Sequence, residues 1–227
     1  MNSNDGSGLK DYSSPEGHVL LVDKPLEWTS FDVVKKLKYA LNLKKVGHAG
    51  TLDPLATGLL ILCTGKKTKQ IESYQNQGKE YEGTLVLGQT TPSYDLETEP
   101  TEAKDITKIT KEQITEATGN FIGDVEQTPP IYSAVKINGK RAYLHARKGD
   151  DIKLRSRVVK IDRFDIISID LPEVKFLVSC SKGTYIRSLV NDFGGQLGVG
   201  AYLSQLRRTK IGDYKVTDAY TIEELTA

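Results

Sequence analysis

The sequence predicts an α+β fold in which helices and loops flank a largely antiparallel mixed sheet. Several stretches have the apolar runs or the alternation that are typical of strands: 19–22, 59–63, 79–88, 158–169, 173–180 and 202–211. Helical spacing is clearest over 31–41, where apolar residues recur every three or four positions. Many strands and few short helices together favour one sheet with helices on its flanks.

The helix signals can be taken in chain order. Ser30 is a suitable N-cap for the first helix. The segment that follows Gly65 reads as a short helix ending near Gln75, and 110–119 reads as another that Gly119 ends. Thr184 is a candidate N-cap for a later helix, and it would place the cation of Arg187 in the first turn, where a positive charge is slightly disfavoured.

Length, net charge and cysteine content limit the class of protein. The 227 residues suffice for a substantial core, and a net charge of +1 says nothing about a polyanionic partner. Cys63 and Cys180 lie far apart in apolar runs, as reduced thiols in a cytoplasmic protein do, and no apolar stretch approaches membrane-spanning length. The polar segment 1–17 is predicted to be a disordered tail, which leaves 18–227 as the folded domain.

One turn-rich stretch, Val46–Gly58, is the first candidate for a functional site. It contains three glycines and His48, and a strand-like run follows it. Because Pro54 disfavours the helical region for the residue before it, Asp53 should lie in an extended or turn conformation. Such a loop could present one carboxylate from a rigid strand, although most glycine-rich turns only connect elements.

The charges are unevenly distributed along the chain. Nine basic residues and two acidic ones lie between Ile131 and Lys160, with Tyr132 and Tyr143 among them, whereas 92–105 is an acidic loop. Cations and aromatic rings are typical of nucleic-acid surfaces, where they meet phosphates and stack on bases. A solvated basic face is the alternative.

Several other chemistries do not fit the sequence. The three histidines lack zinc-site spacing, and the sequence contains neither a serine nucleophile elbow nor a dinucleotide fingerprint. A phosphate-binding loop fails at Gly58–Gly65, because six residues separate the glycines and Lys67 stands where a hydroxyl must bind magnesium. What remains suggests chemistry on a nucleic acid without a metal or a cofactor.

Two long segments carry a family resemblance. VGHAGTLDPLATGLL at 46–60 and CSKGTYIRSL at 180–189 resemble the signature segments of the TruB family of tRNA pseudouridine synthases. Shorter family-like segments occur in the expected order at 23–25 with 29–30, at 132–136 and at 206–208. The resemblance implies a pseudouridine synthase-like catalytic domain over 18–227, without the C-terminal RNA-binding domain that many relatives carry. Glu27–Trp28 departs from the family pattern, which often has glycine in that turn.

The resemblance also implies an activity and a set of site residues. The family converts uridine-55 in the T arm of tRNA into pseudouridine. By resemblance Asp53 is the catalytic carboxylate, Tyr81 stacks on the target base and Arg187 pairs with Asp53. The residues expected to bind substrate are His48, Tyr185, Leu206, Lys24 and Lys136. The basic segment, about 129–160, corresponds to an element that closes over the RNA.

Several readings remain open at this point. Asp53 could act as a nucleophile or as a base towards the sugar. We expect a cytoplasmic monomer that binds the tRNA T stem-loop without a cofactor or metal and without a membrane. The alternatives are a non-catalytic RNA-binding or tRNA-folding protein and a pseudouridine synthase that acts on another RNA.

Overall fold

A single mixed sheet forms the centre of the molecule. The computed structural model describes residues 12, 14–137, 139–150 and 152–227. The strands are β1 Val19–Lys24, β2 Val46–His48, β3 Ala56–Thr64, β4 Lys79–Leu87, β5 Gly123–Gln127, β6 Lys136–Ile137, β7 Lys140–Arg141, β8 Arg157–Asp170, β9 Glu173–Cys180, β10 Ala201–Ile211 and β11 Tyr214–Lys215. The helices are α1 Ser30–Ala40, α2 Ile71–Gln75, α3 Lys111–Ala117, α4 Ala142–Ala146, α5 Ile186–Gln196 and α6 Ile222–Thr226.

The strand order explains how distant segments meet. Seven strands run in the order β1-β3-β10-β4-β9-β8-β5, while β2 pairs with β3 and β11 with β10. The β3–β10 pair is parallel, and the other strand pairs are antiparallel, so the predicted α+β class with a largely antiparallel mixed sheet is confirmed. Because β10 lies between β3 and β4, Arg208 pairs in register with both Gly58 and Tyr81.

The apolar run of β3 is buried on both faces. Leu60 and Leu62 pack with the residues of β1, α1 and α6, whereas Leu59 and Ile61 pack with Tyr74. A strand that is covered on both faces needs apolar residues at every position, which explains why this run does not alternate. A third and larger cluster joins α3 and α5 to β4, β8, β9 and β10.

The first helix starts one residue earlier than predicted. Its N-cap is Thr29, whose hydroxyl accepts a hydrogen bond from the Asp32 N–H (3.0 Å), while Asp32 accepts one from the Thr29 N–H (2.9 Å). This capping box satisfies two backbone donors at once. Ser30 is instead buried, and its hydroxyl accepts from the Leu52 N–H (2.9 Å) and donates to the Leu52 carbonyl (3.2 Å).

Two other predicted helix boundaries were wrong, and one is confirmed. Helix α3 passes into a 3₁₀ turn over 118–121, so Gly119 does not end it. Helix α5 has Tyr185 as its N-cap, because the Thr184 hydroxyl donates to the Ser181 carbonyl (3.0 Å) instead. Helix α2 ends at Gln75, as predicted. In the part of the chain that the structure describes, no helix is both long and apolar enough to cross a bilayer.

The predicted disordered tail is wrong for its last residues. Residues 1–11 and 13 lie outside the described part of the chain, as does Asn138 of the predicted Asn-Gly turn. The Lys66 N–H donates to the Pro15 carbonyl (3.0 Å), and the Tyr12 ring packs edge-on against His18. Residues 14–17 therefore pack against the end of β3.

Candidate active site

A cleft of about 640 Å³ opens between the Asp53 loop, β4 and the loop that leads into α5. Five of the predicted site residues line it together: Asp53, Tyr81, Tyr185, Arg187 and Leu206. The Asp53 side chain is 42% exposed, so it can be reached from the cleft. The sheet thus brings together residues that lie more than 100 positions apart in the sequence.

Buried contacts hold the Asp53 loop from behind. The Lys24 ammonium donates to the carbonyls of Pro25 (2.8 Å), Trp28 (2.6 Å) and Pro54 (3.3 Å), and the side chain has no exposed surface. Burial lowers the pKa of Lys24 to about 8. Lys24 has no exposed surface in this conformation and supports the Asp53 loop, while substrate contact by Lys24 stays a prediction.

Arg187 lies directly beside the candidate carboxylate. Its Nε is 2.9 Å from Asp53 Oδ2, but the N–H is not aligned for a hydrogen bond, so the contact is between charges. The remainder of the guanidinium donates to the carbonyls of Ser93 (3.1 Å) and Tyr132 (2.9 Å). Arg187 is 4% exposed, and these contacts explain a cation in the first turn of α5.

The sequence analysis missed Asp95 as a site residue. It belongs to the acidic loop 92–105, yet it is buried, and its Oδ2 lies 3.5 Å from Arg187 Nε. Burial raises the pKa of Asp95, while the charge of Arg187 opposes that shift. The loop around it is rich in acidic and polar residues, and the apolar Leu96 beside it is itself exposed, so the hydropathy pattern gave no signal of burial.

Arg208 is the second residue that was missed. It is 1% exposed, and its Nε donates to the Leu59 carbonyl (2.8 Å) while its NH2 group donates to that of Gly50 (3.2 Å). It lies opposite Tyr81 in the β4–β10 ladder. Burial raises the pKa of the Tyr81 phenol, and the positive charge of Arg208 partly offsets this shift, so Tyr81 is neutral near pH 7.

The loop before α5 places Tyr185 in the lining of the same cleft. Gln127 fixes its backbone in both directions, accepting from the Tyr185 N–H (2.8 Å) and donating to the Tyr185 carbonyl (3.0 Å). Leu206 lies on β10, opposite Gly83 of β4. Both side chains are half-buried, so each offers an apolar surface to whatever enters the cleft.

The structure does not bring His48 or Lys136 into the cleft lining. His48 lies on β2 opposite Leu62, at the base of the Asp53 loop, and burial lowers the pKa of its imidazole. Lys136 is exposed on β6, which forms a hairpin with β7. Within the described residues, no group of three or more His, Cys, Asp or Glu side chains is placed to hold a metal ion.

Sequence comparison assigns the family. The sequence model described as "TruB family pseudouridylate synthase (N terminal domain)" matches residues 38–186. The chain belongs to the TruB family. A second TruB model, "tRNA pseudouridylate synthase B C-terminal domain", matches 187–227. That region is not a separate unit here, because it includes α5 and β10 at the centre of the sheet.

Individual TruB relatives extend this likeness over most of the chain. Proteins called tRNA pseudouridine synthase B from Flavobacterium johnsoniae and Chloroherpeton thalassium are 55% and 52% identical, over 91% and 93% of this chain and 93% and 90% of theirs. A crystal structure of a Cbf5-Nop10-Gar1 complex matches with a TM-score of 0.75 and 31% identity over 97% of this chain. This chain spans 56% of that one.

Proposed function

We propose that the protein converts uridine-55 in the T arm of tRNA into pseudouridine, with Asp53 as the reacting carboxylate. The observation that carries the proposal is the position of Asp53, which lies exposed in the cleft and 2.9 Å from the buried Arg187. Membership of a pseudouridylate synthase family and close relatives called tRNA pseudouridine synthase B support the reaction and the substrate class.

The reaction needs only what the cleft contains. The C1′–N1 bond breaks, the uracil turns, and C1′ joins C5, while the base loses a proton at C5 and gains one at N1. Uridine and pseudouridine have the same atoms, so no redox cofactor or group donor takes part. A carboxylate beside the sugar can attack C1′ or remove a proton from the sugar, and Asp53 is exposed to the cleft for either role.

The target base must leave its stack to reach Asp53, which costs a few kcal/mol and requires replacement contacts. The ring of Tyr81 and the side chain of Leu206 line the same cleft and provide apolar surface for the uracil. The basic segment offers exposed cations for phosphates: Arg157 lies in the cleft lining, and Lys136 and Arg141 lie outside that lining on the same segment. A T-arm stem-loop therefore finds both a pocket for one base and a charged approach.

The test uses a T-arm stem-loop labelled with tritium at C5 of uridine-55, because formation of the C1′–C5 bond releases that hydrogen. We expect wild type to release tritium and Asp53→Asn to lose at least about 10³-fold in rate. Asp165→Asn is the matched control, since Asp165 is an ion-paired carboxylate on β8 outside the cleft lining.

Each outcome has a distinct meaning. Substantial activity in Asp53→Asn would show that Asp53 is not the reacting carboxylate. Release from a different uridine, or from another RNA, would replace the proposed substrate. Tight RNA binding without product in wild type would favour the non-catalytic RNA-binding alternative.

A further inference from the structure

The mouth of the cleft contains an arginine whose position is fixed before any ligand arrives. Arg157 begins β8 and lies opposite Gln127 of β5 in the ladder. Its guanidinium lies over the Tyr185 ring, 5.1 Å from the centroid, and donates to the Gly183 carbonyl. Stacking on a ring and a hydrogen bond hold this side chain in one orientation, unlike most exposed arginines.

The backbone beneath Arg157 is held by contacts of its own. Gly183 has φ +80°, which favours glycine, although a Cβ atom there would meet the Arg157 guanidinium carbon at 3.4 Å, an ordinary contact. Gln127 fixes the backbone of Tyr185 from the neighbouring strand, so the ring under Arg157 does not depend on Arg157 alone. The rim of the cleft is therefore one connected unit of two strands and one loop.

The charge of Arg157 has no partner among the described residues, since the ion pairs found there do not include it. The cations in the cleft lining are Lys79, Arg157, Lys182, Arg187 and Arg208, and Asp53 is the only acid described there. Three of these cations are buried, whereas Arg157 and Lys182 are exposed at the opening. Lys182 donates to Asn76 across the cleft. Arg157 is therefore the exposed cation whose planar guanidinium can donate two parallel hydrogen bonds to one ligand.

We infer that Arg157 is a preorganised binding residue for a phosphodiester of the RNA strand at the cleft mouth, next to the nucleotide that enters towards Asp53. This inference rests on the proposed function, because it takes RNA as the ligand. A guanidinium fork matches two phosphate oxygens, and an orientation fixed in advance reduces the entropy lost on binding. Tyr185 then has two roles: it lines the pocket and it positions this cation.

The experiment compares Arg157→Gln with Arg157→Lys and with Arg155→Gln. Arg155 is an exposed arginine on the same segment, and within the described residues it neither stacks on a ring nor bonds a carbonyl. Dissociation constants for a T-arm stem-loop are measured between about 50 and 200 mM salt. Turnover at saturating RNA is measured alongside, and thermal unfolding verifies that each variant folds.

We expect Arg157→Gln to weaken binding about tenfold and to lower the slope of log Kd against log salt by about one, with kcat retained. Arg157→Lys should keep the slope but lose about threefold in affinity, because an ammonium neither stacks on a ring nor donates two parallel hydrogen bonds to a phosphate. Arg155→Gln should weaken binding less than threefold, because a mobile side chain gains less from one phosphate.

Two results would overturn the inference. Equal losses in Arg157→Gln and Arg155→Gln would mean that the fixed orientation contributes nothing. A lower kcat with unchanged Kd and slope would mean that Arg157 only supports Tyr185. If Arg157→Gln fails to fold, the comparison of Arg157→Lys with wild type decides instead, and unchanged affinity there counts against the inference. Binding needs no turnover, so an inactive wild type would refute the proposed function and still leave this test readable.

Discussion

The contact between β3 and β10 at Gly58 gives the sharpest test of the fold. Gly58 has φ +102°, and an alanine Cβ there would lie 2.4 Å from the Arg208 carbonyl oxygen and 2.8 Å from the Arg208 backbone nitrogen. Ordinary contacts are about 3.5–4.0 Å, so the two strand backbones would have to separate by about 1 Å. Gly123 is the matched control, because it has φ +93° but open space around the added atom.

The two substitutions share one cost and differ in another. Alanine in this backbone region costs about 1–3 kcal/mol at either position. Gly58→Ala adds the collision with backbone, and overpacking of this kind typically costs about 1–3 kcal/mol more. We therefore expect Gly58→Ala to lower the free energy of unfolding by about 2 kcal/mol more than Gly123→Ala does. For a chain of this size, that corresponds to a further fall in Tm of roughly 4–8 °C.

Urea and thermal unfolding followed by circular dichroism measure the difference. Equal losses for Gly58→Ala and Gly123→Ala would refute the close approach of the β3 and β10 backbones. Activity is a second measurement of the same change. Gly58 lies beside Arg208, and Arg208 donates a hydrogen bond to the Gly50 carbonyl in the loop that carries Asp53. Gly58→Ala should therefore also reduce turnover in the fraction that remains folded.

Two further predictions concern the support behind the Asp53 loop. Ser30→Ala leaves the buried Leu52 N–H without its acceptor, so the free energy of unfolding measured by urea titration should fall by about 1–3 kcal/mol. An unchanged value would mean that this hydrogen bond is dispensable. Burial lowers the pKa of Lys24 from 10.5 to about 8, so between these values the unfolded chain binds more protons and the Lys24 contribution to stability rises with pH. Lys24→Met should therefore have a flatter stability profile than wild type between pH 8 and 10, and parallel profiles would contradict the buried charge.

The strands were the part of this molecule that the sequence predicted best. Asp53 lies in one cleft with Tyr81 and Arg187, as expected, and its catalytic role stays a prediction. Apolar runs and alternation are local signals, and β4, β8, β9 and β10 all lie within one residue of their predicted bounds, whereas β3 starts three residues earlier than its apolar run. The first helix was found, but its cap was placed at Ser30 rather than Thr29. Both residues are common N-caps, and the choice depended on the distant Leu52, which takes the Ser30 hydroxyl.

Buried charges were the part that the sequence could not predict. Lys24, Asp95 and Arg208 lie in segments that read as polar turns or strand ends, where exposure is the usual outcome. Their burial depends on backbone carbonyls or opposite charges that are supplied from distant positions in the chain, such as the Pro54 and Leu59 carbonyls and the Arg187 guanidinium. Such partners become neighbours only through the strand order, which hydropathy does not encode.

The central position of β10 bears on how the protein is made. Its residues, Ala201–Ile211, leave the ribosome late, yet they must enter between β3 and β4, which are translated much earlier. At about 5–20 residues per second, those two strands wait on the order of ten seconds with unpaired edges. Exposed edges invite pairing with other chains. The nascent chain therefore passes through a period in which aggregation competes with folding, and the cleft can form only once the last central strand has been inserted.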